Sequence, residues 1–169
     1  MDTFSANMGG TVTGVVTGKP IELGGSLGRI KATGRGVFLT AREAARSLGF
    51  ALEDARVAVQ GFGNVGGVAA ELMARANARV VAVQDHTGSL HNADGIDVAA
   101  LARHCREHGG IAGFAGAGAI GEEDFWGVDC DIMIPAALEG QLDGPRAERI
   151  RARLVVEGAR ICAGDFGPI

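Results

Sequence analysis

Arg56-Val57-Ala58-Val59-Gln60-Gly61-Phe62-Gly63-Asn64-Val65-Gly66 runs from a short β-branched segment straight into a glycine-spaced turn. The apolar run is too short for a helix and is stopped by glycine, which predicts a buried strand. Beyond it Val65, Val68, Ala69, Leu72 and Met73 recur at helical spacing, a small-residue face suited to close packing. A second buried run, Arg79-Val80-Val81-Ala82-Val83-Gln84, ends at Asp85, 19 residues after Gly66. Strand, G-x-G-x-x-G turn, helix, strand and terminal acid, in that order, make the arrangement that binds dinucleotides. The first glycine permits the tight turn, the second lets a pyrophosphate approach the backbone, and the third lets the helix pack on the strand. The helix N-terminus adds amide donors and a positive dipole end. Asp85 would accept from the adenosine ribose hydroxyls and repel a 2′-phosphate, which favours NAD. His86 beside it could tolerate that phosphate, which keeps NADP open.

Working outward, residues 1–34 are glycine-rich with no sustained period and read as loop or short extended pieces. Val37, Thr40, Ala41, Ala44, Ala45 and Leu48 then form one helical face, with Thr33 as N-cap and Gly49 just past the C-terminus. Downstream, Gly95 to His108 reads as a helix and 109–121 as a glycine-alanine loop. Cys130 to Ile134 reads as a strand ended by Pro135, Pro145 to about Arg151 as a short helix, and Arg153 to Glu157 as a fourth strand. Helices alternating with short apolar strands predict an α/β fold. Its form is Rossmann-like and doubly wound, a mostly parallel sheet with helices on both faces.

Composition narrows the class. The 169 residues suit one domain, and 28 glycines beside 4 prolines, without a three-residue period, exclude collagen and proline-rich linkers. Mean hydropathy is +0.18 and the pI is near 5.5. The net charge of −4 argues against nucleic acid or an anionic membrane as partner. No apolar run approaches a membrane span and no signal pattern opens the chain. Cys105, Cys130 and Cys162 are widely spaced, which predicts reduced thiols in a cytoplasm.

Two patterns fail as sites. Gly14-Val15-Val16-Thr17-Gly18-Lys19-Pro20 is one residue short of a phosphate-binding loop and has proline where a hydroxyl is needed. His104-Cys105-Arg106-Glu107-His108 matches H-x-x-E-H, but both histidines fall on the flank of their helix, so no metal is expected. Lys19, Arg29, Lys31 and Arg35 are either loop charges or face an anion.

Thr17-Gly18-Lys19-Pro20, Gly24-Gly25-Ser26-Leu27-Gly28-Arg29, Ala32-Thr33-Gly34-Arg35-Gly36-Val37 and the 61–66 turn together resemble the amino-acid dehydrogenases acting on glutamate, leucine, phenylalanine or valine. The wording is nearest the hexameric bacterial glutamate dehydrogenases. Val83-Gln84-Asp85-His86-Thr87-Gly88 and Ile134-Pro135-Ala136-Ala137-Leu138-Glu139-Gly140 fit the same branch.

The resemblance implies the cofactor domain of an oxidoreductase that deaminates L-glutamate to 2-oxoglutarate and ammonia with a nicotinamide dinucleotide. It implies Thr33 near the nicotinamide carboxamide with Arg29 close by, Asn64 and Val65 on the pyrophosphate, and Ala136 and Ala137 along the nicotinamide ribose. Thr17 matches a threonine of the substrate pocket.

The family's acid–base lysine and aspartate belong to a substrate domain with no counterpart here, so no catalytic residue is expected in this chain. Residues 1–34 then read as a lead-in from that domain, 35–159 as the NAD-binding domain, and 160–169 as a tail that fits nothing in the family. On this reading the chain binds cofactor without catalysing, meets glutamate only as part of the full-length enzyme, and is a monomer or dimer where the family is hexameric. The alternative is a non-catalytic nucleotide-binding or interaction module that retains the fold.

Overall fold

The computed structural model describes residues 2–16 and 18–159. The chain opens with a short helix, α1 (Asp2–Met8), and two single 3-10 turns. The first long element, α2 (Arg29–Ser47), begins earlier than its apolar face implies. Gly28, at φ 79°, turns the chain into the helix, and Ile30 in its first turn is 77% exposed. No burial pattern marks that turn, so periodicity could not see it, and Thr33 lies inside the helix instead of capping it. At the other end Gly49 is left-handed (φ 77°) and the Phe50 N–H reaches back to the Ala45 carbonyl, as the glycine predicted.

Strand β1 (Arg56–Gln60) leads through the glycine turn into α3 (Gly66–Arg75) and on to β2 (Arg79–Asp85). The chain then reverses in a hairpin to β3 (Gly88–His91), whose pairing with β2 is antiparallel. Helix α4 (Val98–His108) starts where the Asp97 carboxylate accepts the Ala100 N–H at 2.9 Å, three residues later than the sequence suggested. The stretch read as pure loop, 109–121, contributes a three-residue strand, β4 (Gly118–Ile120). Then come a 3-10 turn (Asp124–Gly127), β5 (Ile132–Pro135), α5 (Gly144–Arg149) and β6 (Leu154–Val155). Both α5 and β6 are shorter than expected.

The six strands lie in the order β4-β3-β2-β1-β5-β6. β2, β1, β5 and β6 run parallel, and β3 runs against both of its neighbours. This is a mostly parallel α/β sheet, as the sequence predicted; α2, α3 and α4 pack on one face, and the 3-10 turn, against which the short α5 lies, covers the other. Alternation along the strands sorts the two cores. Val57 and Val59 of β1, with Ile132 and Ile134 of β5, meet α2, α3 and α4; Ala58 and Met133 face the 3-10 turn with buried Phe125 and Trp126. In β2, Val81 and Ala82 both face the second core, because the register against β1 slips by one residue between Val57 and Ala58.

Gly34, read from sequence as part of a loop, sits buried in α2. A Cβ there would lie 2.6 Å from the Val65 carbonyl oxygen and 2.7 Å from Val68 Cβ. The glycine is what lets α2 cross α3 at close range.

Candidate functional site

From β1 the chain winds through α3 to β2 on one side, while β5 lies on the other. The carboxyl ends of β1 and β5 therefore part company, and such a switch point opens a crevice. Here it is a cleft of about 640 Å³. Gly61, Phe62 and Gly63 line it from β1, Asp85 and His86 from β2, and Ala136 and Ala137 from β5. Seven of the residues singled out from sequence thus share one cleft.

The three turn glycines are present for different reasons. Gly61 has φ 86°, and a Cβ on it would stand 2.7 Å from the Ala136 carbonyl oxygen. Gly66 packs so closely that a Cβ would overlap the Gly61 carbonyl oxygen. The fold itself needs both. Gly63 has no positive φ and nothing within 4 Å of the place its Cβ would take. No described atom of the protein explains that glycine.

Asp85 is fixed in place. Its side chain is 10% exposed, Oδ1 accepts both the Thr87 N–H (2.7 Å) and the Thr87 hydroxyl (2.6 Å), and Oδ2 accepts the Ile111 N–H (3.0 Å). His86 is exposed, with Nδ1 4.0 Å from Asp85 Oδ2. The glycine-rich loop after α4 is therefore tied to the end of β2, which gives the segment 109–112 a place in the cleft rim.

Several lining groups were missed. Gln60 and Gln84, in register at the ends of β1 and β2, are buried and line the cleft. Gln84 Nε2 donates to the Ser89 hydroxyl (2.9 Å) and the Glu122 carbonyl (3.0 Å); Gln60 Nε2 donates to Gln141 Oε1 (3.3 Å). Arg146 donates to the Gln141 carbonyl at 3.0 Å and pairs with Glu122 and Glu123. Gln60 Oε1 is buried with no hydrogen-bond partner among the described residues. The available signal was an amide ending each of two otherwise apolar strands.

The remaining candidates lie elsewhere. Asn64 lines an adjoining depression that shares Phe62, Gly63 and Cys105 with the cleft and is also lined by Lys31, Glu71 and Arg103. Val65 is half-buried beneath Gly34 and Gly158. Arg29 and Thr33 are exposed on α2 and do not line the cleft. Thr17, Cys162 and the segment 160–169 lie outside the described residues. Lys31 pairs with Glu71 at 3.4 Å, and Lys19 Nζ donates to the Thr13 and Val16 carbonyls, so both charges are engaged within the chain. His104 and His108 stack with centroids 4.2 Å apart, each within hydrogen-bond distance of a backbone carbonyl.

Cys105 and Cys130 are free thiols. Burial and the Asp85 charge raise Cys105, which lines the cleft. Burial pushes Cys130 up to about 12. No described helix is long and apolar enough to cross a membrane.

The family model described as Glutamate/Leucine/Phenylalanine/Valine dehydrogenase matches residues 24–163. A glutamate dehydrogenase of Thermotoga maritima is 51% identical over 160 residues, which are 94% of this chain and 38% of that protein. An NAD-specific glutamate dehydrogenase of Clostridioides difficile is 44% identical over 164 residues, 94% of this chain and 39% of its own length. The crystal structure of a hetero-hexameric glutamate dehydrogenase from Thermus thermophilus, in a leucine-bound form, superposes with TM-score 0.85 at 40% identity, covering 96% of this chain and 39% of that one. The chain thus spans under two-fifths of the length of these relatives.

Proposed function

This chain belongs to the glutamate/leucine/phenylalanine/valine dehydrogenase family, and from that premise we propose that its cleft binds a nicotinamide dinucleotide for the oxidative deamination of L-glutamate. The observation that carries the reading is Gly63: a glycine facing an open cleft, in an ordinary backbone conformation, with no protein atom crowding it. It fits a pyrophosphate resting against the backbone at the start of α3.

On this reading the Gly61–Gly66 turn, with Phe62, Asn64 and Val65, cradles the pyrophosphate. Asp85 meets the adenosine ribose, with His86 at the rim. Ala136 and Ala137 border the nicotinamide ribose, and Thr33 and Arg29 on α2 serve the carboxamide end. Thr17 contributes to a substrate pocket. The cofactor, when bound, supplies the hydride acceptor; this chain's residues hold and orient it and keep water from its buried side. Asp85 places a carboxylate where a 2′-phosphate would sit, so NAD is the preferred form.

Oxidative deamination needs an acid–base pair at the substrate amine; no lysine lines the described cleft, and on this reading its titratable groups Asp85 and His86 serve the cofactor while Glu122 pairs with Arg146. We therefore expect the 169-residue chain to bind cofactor without glutamate-dependent reduction of NAD. The test is calorimetric titration with NADH of the wild-type chain and of Gly63→Ala. The added methyl meets no protein atom, so the melting temperature stays at the wild-type value. Crowding a close contact costs about 1–3 kcal/mol, so NADH affinity falls about fivefold or more. Equal affinity for the two proteins would rule the reading out.

A further inference from the structure

Thr87 was not among the candidates read from sequence, yet it joins three parts of the cleft rim. Its N–H and its hydroxyl both donate to Asp85 Oδ1, at 2.7 and 2.6 Å. The same hydroxyl accepts the Ala112 N–H at 3.0 Å, while Asp85 Oδ2 accepts the neighbouring Ile111 N–H at 3.0 Å. Thr87 also fills the space beside Gly110, where a Cβ would collide with Cγ2 and stand 2.6 Å from Oγ1. The bond from the Thr87 N–H back to Asp85 belongs to an ordinary Asx-turn of the β2–β3 hairpin. The bonds across to 111 and 112 do not. They join two segments 25 residues apart in sequence.

We propose that Thr87 is a positioning residue for cofactor selectivity: it holds the Asp85 carboxylate and the 110–112 loop as one fixed rim, against which a 2′-phosphate cannot be accommodated. The proposal rests on the dinucleotide reading. Each carboxylate oxygen offers two lone pairs. Oδ1 is filled by Thr87, and Oδ2 has one place left after Ile111. Asp85 therefore has room for one ribose hydroxyl and not for both.

A carboxylate held by three donors also cannot turn away when a second anion is brought up to it. In the shelter of the cleft the repulsion keeps its strength. Freed of Thr87, the same carboxylate can rotate, the loop can give, and the penalty on a 2′-phosphate falls. Only a side chain that both donates and accepts can close this link. Serine qualifies; alanine does not.

NADH and NADPH are titrated calorimetrically into the wild-type chain and into Thr87→Ser, Thr87→Ala and Gly110→Ala. Thr87 is exposed in a two-residue turn, so its substitution leaves the core intact. Wild type, whose fixed carboxylate repels a 2′-phosphate and can accept from a ribose hydroxyl, is expected to prefer NADH by about tenfold or more. Thr87→Ser keeps that ratio, and Thr87→Ala lowers it by about threefold or more. Gly110→Ala, which displaces Thr87 from the loop side, moves the ratio in the same direction.

An unchanged ratio in Thr87→Ala, failure of serine to preserve it, or a wild-type preference for NADPH overturns the proposal while leaving dinucleotide binding in place. Failure of the wild-type chain to bind either cofactor at millimolar concentration brings down the dinucleotide reading, and the proposal with it.

Discussion

Three glycines separated by one and two residues look interchangeable in sequence, and their surroundings separate them. Gly61 and Gly66 are demanded by the backbones they touch, and Gly63 by nothing in the described chain. The contrast makes a paired prediction. Gly66→Ala forces the start of α3 away from the turn and should destabilise the fold by about 3 kcal/mol or more, read as a lower urea midpoint. Gly63→Ala leaves that midpoint unchanged while weakening NADH.

Cys105 offers a second probe of the cleft. Burial and the nearby Asp85 charge raise its thiol, so little thiolate is present at neutral pH. Alkylation at pH 7, followed by peptide mass mapping, should be slow at Cys105 and slower still at Cys130, whose thiol burial pushes up to about 12. Saturating NADH should slow Cys105 further and leave Cys130 as it was. Labelling of Cys105 that ignores NADH would place the cofactor elsewhere.

At the scale of elements, the sequence was legible where burial imposed a pattern. β1, α3, β2 and β5 face the core on one or both sides, and their apolar spacing named them to within a few residues. The start of α2 and the strands β3 and β4 carried no such pattern. The first turn of α2 is solvent-exposed; β3 is four residues, Gly-Ser-Leu-His, with adjacent Ser89 and Leu90 both buried; β4 is three residues of glycine, alanine and isoleucine. Gly34 misled for the opposite reason, since a glycine needed for helix crossing looks in sequence like one needed for a turn. The tie between Asp85 and 111–112 was equally hidden, because it joins segments that only the fold brings together.

One link between elements is electrostatic. Arg56, opening β1, donates from its backbone N–H to Asp131 Oδ2 at 2.9 Å and from Nε to the same oxygen at 3.3 Å, and it also pairs with Asp129. Burial works to raise Asp131, but the hydrogen bonds from Arg56 outweigh it and hold the carboxyl below its ordinary value. A lowered folded value means that the stabilisation is fully present above the ordinary value of 3.8 and is lost as the pH falls through the lowered one. Asp131→Asn should therefore cost about 1–2 kcal/mol at pH 7, discounted for partial exposure. Denaturation curves of variant and wild type should draw together as the pH falls below that lowered value. A gap that persists there would mean that packing, not charge, holds β1 to β5.

On the scale of the whole molecule, the sheet and its two cores account for residues 35 to 159, and the earlier segment stands apart from them. Eight large apolar side chains between Phe4 and Ile30 are exposed, among them Leu27 at 85% and Ile30 at 77%. Scattered apolar residues need no explanation on a surface, but a concentration of them drives association. We therefore expect the chain to pass from monomer to dimer as its concentration rises through the micromolar range, measured by sedimentation velocity. Covering a leucine or isoleucine is worth about 1.5–3 kcal/mol, so Leu27→Ser with Ile30→Ser should weaken association by about tenfold or more. Neither residue lines the cleft, so NADH affinity should be unaltered in the double variant. Association that survives both substitutions would shift the contact to the sheet edges, where β4 and β6 each leave one side unpaired in the described strand order.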